Sequence, residues 1–211
     1  MGSEARIRID WGKLYDYNAE IRNSGFPEEL RKVAGQMKGC MSDMDSCFLY
    51  ALIRYFKPAL CFETGTGRGK ASSFILKGFE DSKLDSKLIT LEQKTAHTGE
   101  LIPHHLRKYV EFINSKVQTF VQSQEFKILK LDLFLHDSTH RYDHQLWEFQ
   151  TFWKKLNVGG ILCSHDVDYN DSYLDFIKSQ YVVDSKGLTE FEKCGFGVWG
   201  KVSNFGFVSK R

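Results

Sequence analysis

The stretch that decides the fold is Ala59-Leu60-Cys61-Phe62-Glu63-Thr64-Gly65-Thr66-Gly67-Arg68-Gly69-Lys70. Its first half is a short apolar run, enough for a buried strand and too short for a helix. Its second half carries glycine at alternate positions. Glycine permits a positive φ and lets a ligand approach the backbone, so the run predicts a strand, a tight turn and a helix starting near Lys70. The spacing differs from the Gly-x-Gly-x-x-Gly of dinucleotide binders. It is not a Walker loop either, because Ala71 follows Gly69-Lys70 where that loop needs Ser or Thr.

The same alternation continues outward. Strands are expected at 88–92, 117–121, 131–137 and 159–166, and a closing antiparallel pair at 181–183 and 196–199. Helices are expected at 70–78, through Leu101, Leu106, Tyr109, Val110 and Ile113, at 142–156 and at 173–179. In the 142–156 helix, Leu146, Phe149, Trp153 and Leu156 share one face, which reads as core packing. Upstream, one helix runs from Pro27 to Met37, and another follows Ser42 or Asp43 and ends before Pro58. Residues 1–57 therefore read as an N-terminal helical cap and 58–211 as the core. Short apolar runs alternating with helices imply a parallel sheet covered on both faces. In such a sheet function lies beyond the C-terminal strand ends.

Composition narrows the class. The chain has 211 residues, 42% hydrophobic, and a net charge of +2, which argues against a duplex-DNA binder. Its 5 cysteines include no CxxC pair, so neither a disulfide framework nor a structural zinc site is expected. No run approaches the length of a membrane span. A cytoplasmic protein without membrane contact is the expectation, and a homodimer stays open.

Chemistry-bearing residues gather at the expected strand ends. Glu92 stands 23 residues after Gly69, where a carboxylate can accept hydrogen bonds from a ribose diol. His136-Asp137 and His165-Asp166 end two strands that should be neighbours, about 5 Å apart. If both aspartates face the cleft, one takes a proton or a cation sits between them, and Mg²⁺ or Ca²⁺ suits oxygen ligands. The alternative is that Asp137 and Asp166 bind water, backbone amides or substrate. His140 is the candidate general base, with a loop-holding role as its alternative.

Glu63-Thr-Gly-Thr-Gly-Arg-Gly, Glu92, the segment Leu133 to Tyr142 with its Asp-x-x-His-x-Tyr, and Gly159-Gly160 to His165-Asp166 together resemble class I S-adenosylmethionine-dependent methyltransferases. The closest group is the small O-methyltransferase-like family, with catechol- and sugar-type enzymes more distant. The resemblance covers about residues 58–208. It implies a Rossmann-like, seven-stranded, mostly parallel α/β sheet with helices on both faces and a closing antiparallel strand. It also implies S-adenosylmethionine as cofactor, lined by Glu63, Gly65, Thr66, Gly67 and Gly69. Glu92 would hold the ribose, Ser123 the adenine, and Asp137 would sit beside the methyl donor. Asp137 and Asp166 would be the metal pair, and Asp137 and His140 the catalytic residues. Thr139 and Val167 stand where some relatives carry further metal ligands. The implied activity is O-methylation of a small hydroxylated acceptor, possible with a divalent metal. A non-methylating or catalytically silent S-adenosylmethionine-binding protein of the same fold is the alternative.

Overall fold

A computed structural model describes residues 9–34, 40–94, 96–180 and 204–210. Three helices come first: α1 (Trp11–Asn23), α2 (Phe26–Ala34) and α3 (Asp43–Phe56). The core then runs β1 (Leu60–Thr64), α4 (Lys70–Asp81), β2 (Lys87–Glu92), a 3-10 turn (His104–Tyr109) and β3 (Val110–Asn114). Two short helices, α5 (Val117–Phe120) and α6 (Gln124–Ile128), lead to β4 (Leu131–His136) and α7 (Tyr142–Trp153). β5 (Leu156–Ser164), α8 (Ser172–Gln180) and β6 (Gly206–Ser209) complete the described chain. The fold is Rossmann-like. Six strands form one sheet in the order β3-β2-β1-β4-β5-β6, all parallel except β6, which pairs antiparallel with β5.

Successive strand residues point to opposite faces, and both faces are buried. Cys61, Leu133, Leu135, Ile161 and Cys163 join α1, α3 and α4 in one cluster. Phe62, Phe134 and Leu162 join Phe149, Phe152 and Phe176 in the other. Phe134 stacks on Phe152 with ring centroids 4.1 Å apart. The chain leaves β1 for β2 and β3, then returns to place β4 on the other side of β1. That reversal opens a crevice at the C-terminal ends of β1 and β4.

The structure corrects several sequence expectations. The long helix through 101–113 is a 3-10 turn followed by β3, and the strand expected at 117–121 is α5. Val117 and Phe120 are buried three positions apart, which is helical spacing. Val110–Asn114 instead pairs with β2 at the sheet edge. The 159–166 strand begins and ends earlier, at Leu156 and Ser164, so His165 and Asp166 lie beyond it. α4 runs past Gly78 because that glycine is a packing site: a Cβ there would lie 2.7 Å from Ile53 Cγ2. The helix α1, capped by Asp10 accepting from the Lys13 amide, was not expected. The closing strand is β6; the pair expected at 181–183 and 196–199 lies outside the described residues, and the described sheet has six strands rather than seven.

Candidate active site

Thr64 ends β1, and Gly65 follows at φ +88°. Its amide donates to Leu91 O (2.9 Å), while the Asp137 amide donates to Thr64 O (3.0 Å). The turn is therefore wedged between the ends of β2 and β4. Gly67, at φ +48°, has nothing within 4 Å of a built Cβ and leaves an open floor. Its amide donates to Glu92 Oε2 (3.1 Å), and Glu92 Oε1 accepts from the amides of Gln93 (2.9 Å) and Lys94 (3.0 Å). Backbone donors thus fix this carboxylate at the rim.

Glu63 is fully buried beneath the turn rather than lining the crevice. It accepts from Ser72 Oγ and Thr90 Oγ1, each at 2.5 Å, and Thr90 bonds Thr66 in turn at 2.6 Å. Burial pushes its carboxyl up to about 7, although the hydrogen bonds from Ser72 and Thr90 pull it down. Below pH 4.5 both folded and unfolded forms hold the proton. As pH rises toward 7 only the unfolded form releases it, so folding loses stability across that window. The loss should be about 3 kcal/mol. Glu63→Gln should abolish this decline, checked by urea melts at pH 4.5 and above 7.

Beyond β4 and β5 lies a cluster of carboxylates and imidazoles. His165 Nδ1 is 3.1 Å from Asp137 Oδ1, and its Nε2 is 3.5 Å from Asp166 Oδ1 and 3.8 Å from Asp45 Oδ2. His140 Nε2 stands 3.4 Å from Asp166 Oδ2 and 3.9 Å from Asp137 Oδ1. An imidazole nitrogen therefore sits between the two aspartates. Burial, then the neighbouring His136 ring, holds His140 below its ordinary pKa despite Asp166 and Asp137, so the ring is neutral at pH 7. Burial also opposes charge on His165, but its hydrogen bond to Asp137 and the charges of Asp137, Asp166 and Asp45 raise it overall. Asp137, His140 and His165 bring one oxygen and two nitrogens within 4.8 Å of one another.

Beneath this cluster Glu148 of α7 is a buried hub. Its Oε2 accepts from Thr64 Oγ1 (2.6 Å) and meets His136 Nδ1 (2.9 Å). Its Oε1 accepts from Ser138 Oγ (2.8 Å) and meets His144 Nε2 (2.6 Å). Burial alone would raise this carboxyl; the His136 ring and the bonds from His136, His144 and Thr64 hold it well below the usual range. His136 thus points down into the fold while Asp137 points into the crevice, as strand alternation requires.

Met41, Ser42 and Asp45, just before and at the start of α3, line the opposite wall. Lys70, the first residue of α4, donates to Met41 O (2.7 Å) and pairs with Asp43 Oδ1 (2.6 Å). Ser42 caps α3 by accepting from the Asp45 amide and donates to Asp45 Oδ2 (2.7 Å).

The resulting cleft has a volume of about 1050 Å³. It brings together Gly65, Thr66, Gly67, Gly69, Glu92, Asp137, His140 and Asp166. Ser123 is not there: its hydroxyl caps α6 by accepting from the Phe126 amide. Because β3 ends at Asn114, the residues that follow it into the cleft are Ser115, Lys116, Val117 and Gln118. Asp45 and His165 line the cleft without having been singled out as site residues. His165 had a signal in its His-Asp pair, whereas Asp45 had only its place in a cap.

Residues 62–167 match the methyltransferase domain family. No curated protein matches the chain in sequence. Among solved structures it is similar to an O-methyltransferase from Bacillus cereus in complex with SAH, at 19% identity and a TM-score of 0.58, covering 80% of this chain and 82% of that one. It is also similar to an O-methyltransferase from Streptomyces achromogenes involved in tomaymycin synthesis, in complex with SAM, at 14% identity and a TM-score of 0.55, covering 84% and 85%. An SAH-bound methyltransferase from Podospora anserina is similar at 17% identity and a TM-score of 0.54, covering 79% and 74%. With half its length matched from the first strand to just past β5, the chain belongs to the methyltransferase domain family.

Proposed function

We propose that the protein binds S-adenosylmethionine and transfers its methyl group to a hydroxyl of a small acceptor. The observation that carries this reading is the glycine turn facing Glu92: an open floor over Gly67 beside a carboxylate fixed by three backbone amides. The two Glu92 oxygens suit ribose hydroxyls. Ser115 to Gln118, which line the cleft beyond β3, are our candidates for the adenine contact in place of Ser123, which the family resemblance implied. When bound, S-adenosylmethionine supplies an electrophilic methyl group on sulfur.

This chain's own residues do the rest. The cap and the β5 loop hold the acceptor oxygen near Asp137, and alignment of the reacting groups supplies much of the rate. His140, neutral at pH 7, takes the hydroxyl proton at Nε2. Asp137 and Asp166 flank that nitrogen and stabilise the imidazolium that forms.

A second reading rests on the donor triad. Asp137, His140 and His165 suit an ion that accepts imidazole, such as Mn²⁺ or Zn²⁺, better than the Mg²⁺ or Ca²⁺ expected of an all-oxygen pair. In that case His140 is a ligand and not a base.

Calorimetry should show saturable binding of S-adenosylmethionine and of its demethylated product. Glu92→Ala should weaken both by about 10- to 100-fold, from lost charge-assisted hydrogen bonds. His140→Ala should leave binding intact and lower turnover by about 100-fold or more. Transfer of labelled methyl to polyhydroxylated metabolites tests the activity, and chelation followed by metal add-back separates the two roles of His140. Normal cofactor binding with no acceptor ever labelled would instead support the catalytically silent alternative.

A further inference from the structure

The cleft lining mixes Asp45, Glu92, Asp137, Asp166 and Asp168 with Arg68, Lys70, Lys94 and Lys116. The opposite end of the sheet carries lysines in excess of its exposed carboxylates Asp85, Glu111 and Glu125. Lys127 and Lys130 precede β4, Lys154 and Lys155 precede β5, and Lys57 precedes β1. These segments lie side by side: the Leu131 amide donates to Lys155 O (2.9 Å), Lys155 Nζ donates to Lys127 O (2.8 Å), and Asp132 Oδ2 accepts from the amides of Ala59 (3.0 Å) and Leu60 (3.1 Å). Lys57, Lys127, Lys130 and Lys154 are exposed, and none has an ion-pair partner among the described residues. Asp132, half-buried, is engaged by the amides of Ala59 and Leu60 and by Asn157. Glu125, on α6, is the exposed carboxylate nearest in sequence to Lys127.

Two aliphatic side chains neighbour these lysines in sequence, Ile128 beside Lys127 and Val158 three residues after Lys155. Ile128 and Val158 are each 81% exposed, more than any other large apolar side chain among the described residues. A single exposed aliphatic side chain needs no explanation, but the two most exposed ones among the described residues both fall in these lysine-bearing segments. Guanidinium forks suit a shaped phosphate or carboxylate, whereas ammonium groups suit a diffuse negative surface, and this cluster contains lysine only. Exposed apolar tips add insertion at the headgroup boundary, which a nucleic-acid backbone does not reward.

We propose that this lysine-rich base docks peripherally on an anionic lipid surface, with Ile128 and Val158 entering the headgroup layer. No helix of the described residues is long and apolar enough to cross a membrane, so the contact is a surface one. Docked this way, the cleft faces away from the bilayer and stays open to solutes.

The test is co-sedimentation of the full chain with phosphatidylcholine vesicles, with and without about one-third phosphatidylserine, at about 0.1 M salt. Binding should require phosphatidylserine and fall roughly tenfold when salt is raised to about 0.5 M. The triple variant Lys127→Glu, Lys130→Glu, Lys154→Glu should lose binding, and Ile128→Ser with Val158→Ser should weaken it several-fold. Circular-dichroism melts identify variants that still fold, and Lys127→Gln with Lys130→Gln serves if the triple variant does not. Absence of sedimentation with anionic vesicles, equal sedimentation with neutral ones, or undiminished binding by the folded lysine variants overturns the proposal. So does equal affinity for duplex RNA with no effect of the Ile128 and Val158 changes.

Discussion

Gly65→Ala should cost more than alanine at any other described glycine. A Cβ at that position would lie 2.1 Å from the Asp137 carbonyl oxygen and 2.8 Å from Ser138 Cα. Both are backbone atoms, held by the bond from the Asp137 amide to Thr64 O, so no flexible side chain can move aside. A φ of +88° adds strain of about 1–2 kcal/mol for any residue with a Cβ. Either the fold gives up about 3 kcal/mol or more, or the ends of β1 and β4 separate. In both cases S-adenosylmethionine affinity should fall by at least about 100-fold, because a shift of about 1 Å spoils the alignment of the cleft. Two controls isolate the cause. Gly159→Ala, at φ +83° with nothing within 4 Å, carries strain without collision and should cost about 1 kcal/mol. Gly67→Ala should reduce ligand binding far more than stability, since its methyl group enters the open floor. Thermal melts and calorimetry on the three variants separate these outcomes.

Glu148→Ala should destabilise the protein by about 3–5 kcal/mol, the usual cost of breaking a buried charged network. It strips a partner from Thr64, His136, Ser138 and His144 at once. Glu148→Gln keeps the shape and removes the charge, so it should fall between. The pH dependence has a definite sign. The folded carboxyl is held below its unfolded value of about 4.3, so its contribution is complete above that pH and is lost as pH falls toward the folded value. Acid should therefore destabilise the native protein more steeply than Glu148→Gln below about pH 4.3. The Glu63 decline occupies the window above pH 4.5, so the double variant should show both changes independently. Denaturant melts from pH 3 to about pH 8 measure them together.

Much of this architecture was legible in the chain. The apolar run before the glycines, the spacing to Glu92 and the His-Asp pairs at the exits of β4 and β5 were all readable from local sequence. The helix and strand exchanged around residues 101–121 did not report themselves. An edge strand is half exposed, so Val110–Asn114 lacks the apolar continuity of β1 and β4, while Val117 and Phe120 mimic a strand over a very short span. Ser123 falls outside the cleft for the same reason: it follows the strand expected at 117–121, whereas β3 ends at Asn114. Glu148 was invisible for another reason. It lies within a helix read for its aromatic face, and its partners come from β1, β4 and the loop between β4 and α7. Only His144, four residues earlier, was within local reach.

The Lys70 contact joins two sites that would otherwise be separate. It sits at the start of the helix that follows the glycine turn, and it grips Met41, in the wall on the other side of the cleft, and Asp43, the first residue of α3. Whatever settles the turn also settles that wall, so under the proposed function donor and acceptor would meet one shared frame. Occupancy of one half then sets the affinity of the other, and by linkage the coupling is equal in both directions. An acceptor should bind more tightly to the product-occupied protein than to the empty one, and by the same factor the product should bind more tightly when the acceptor is present.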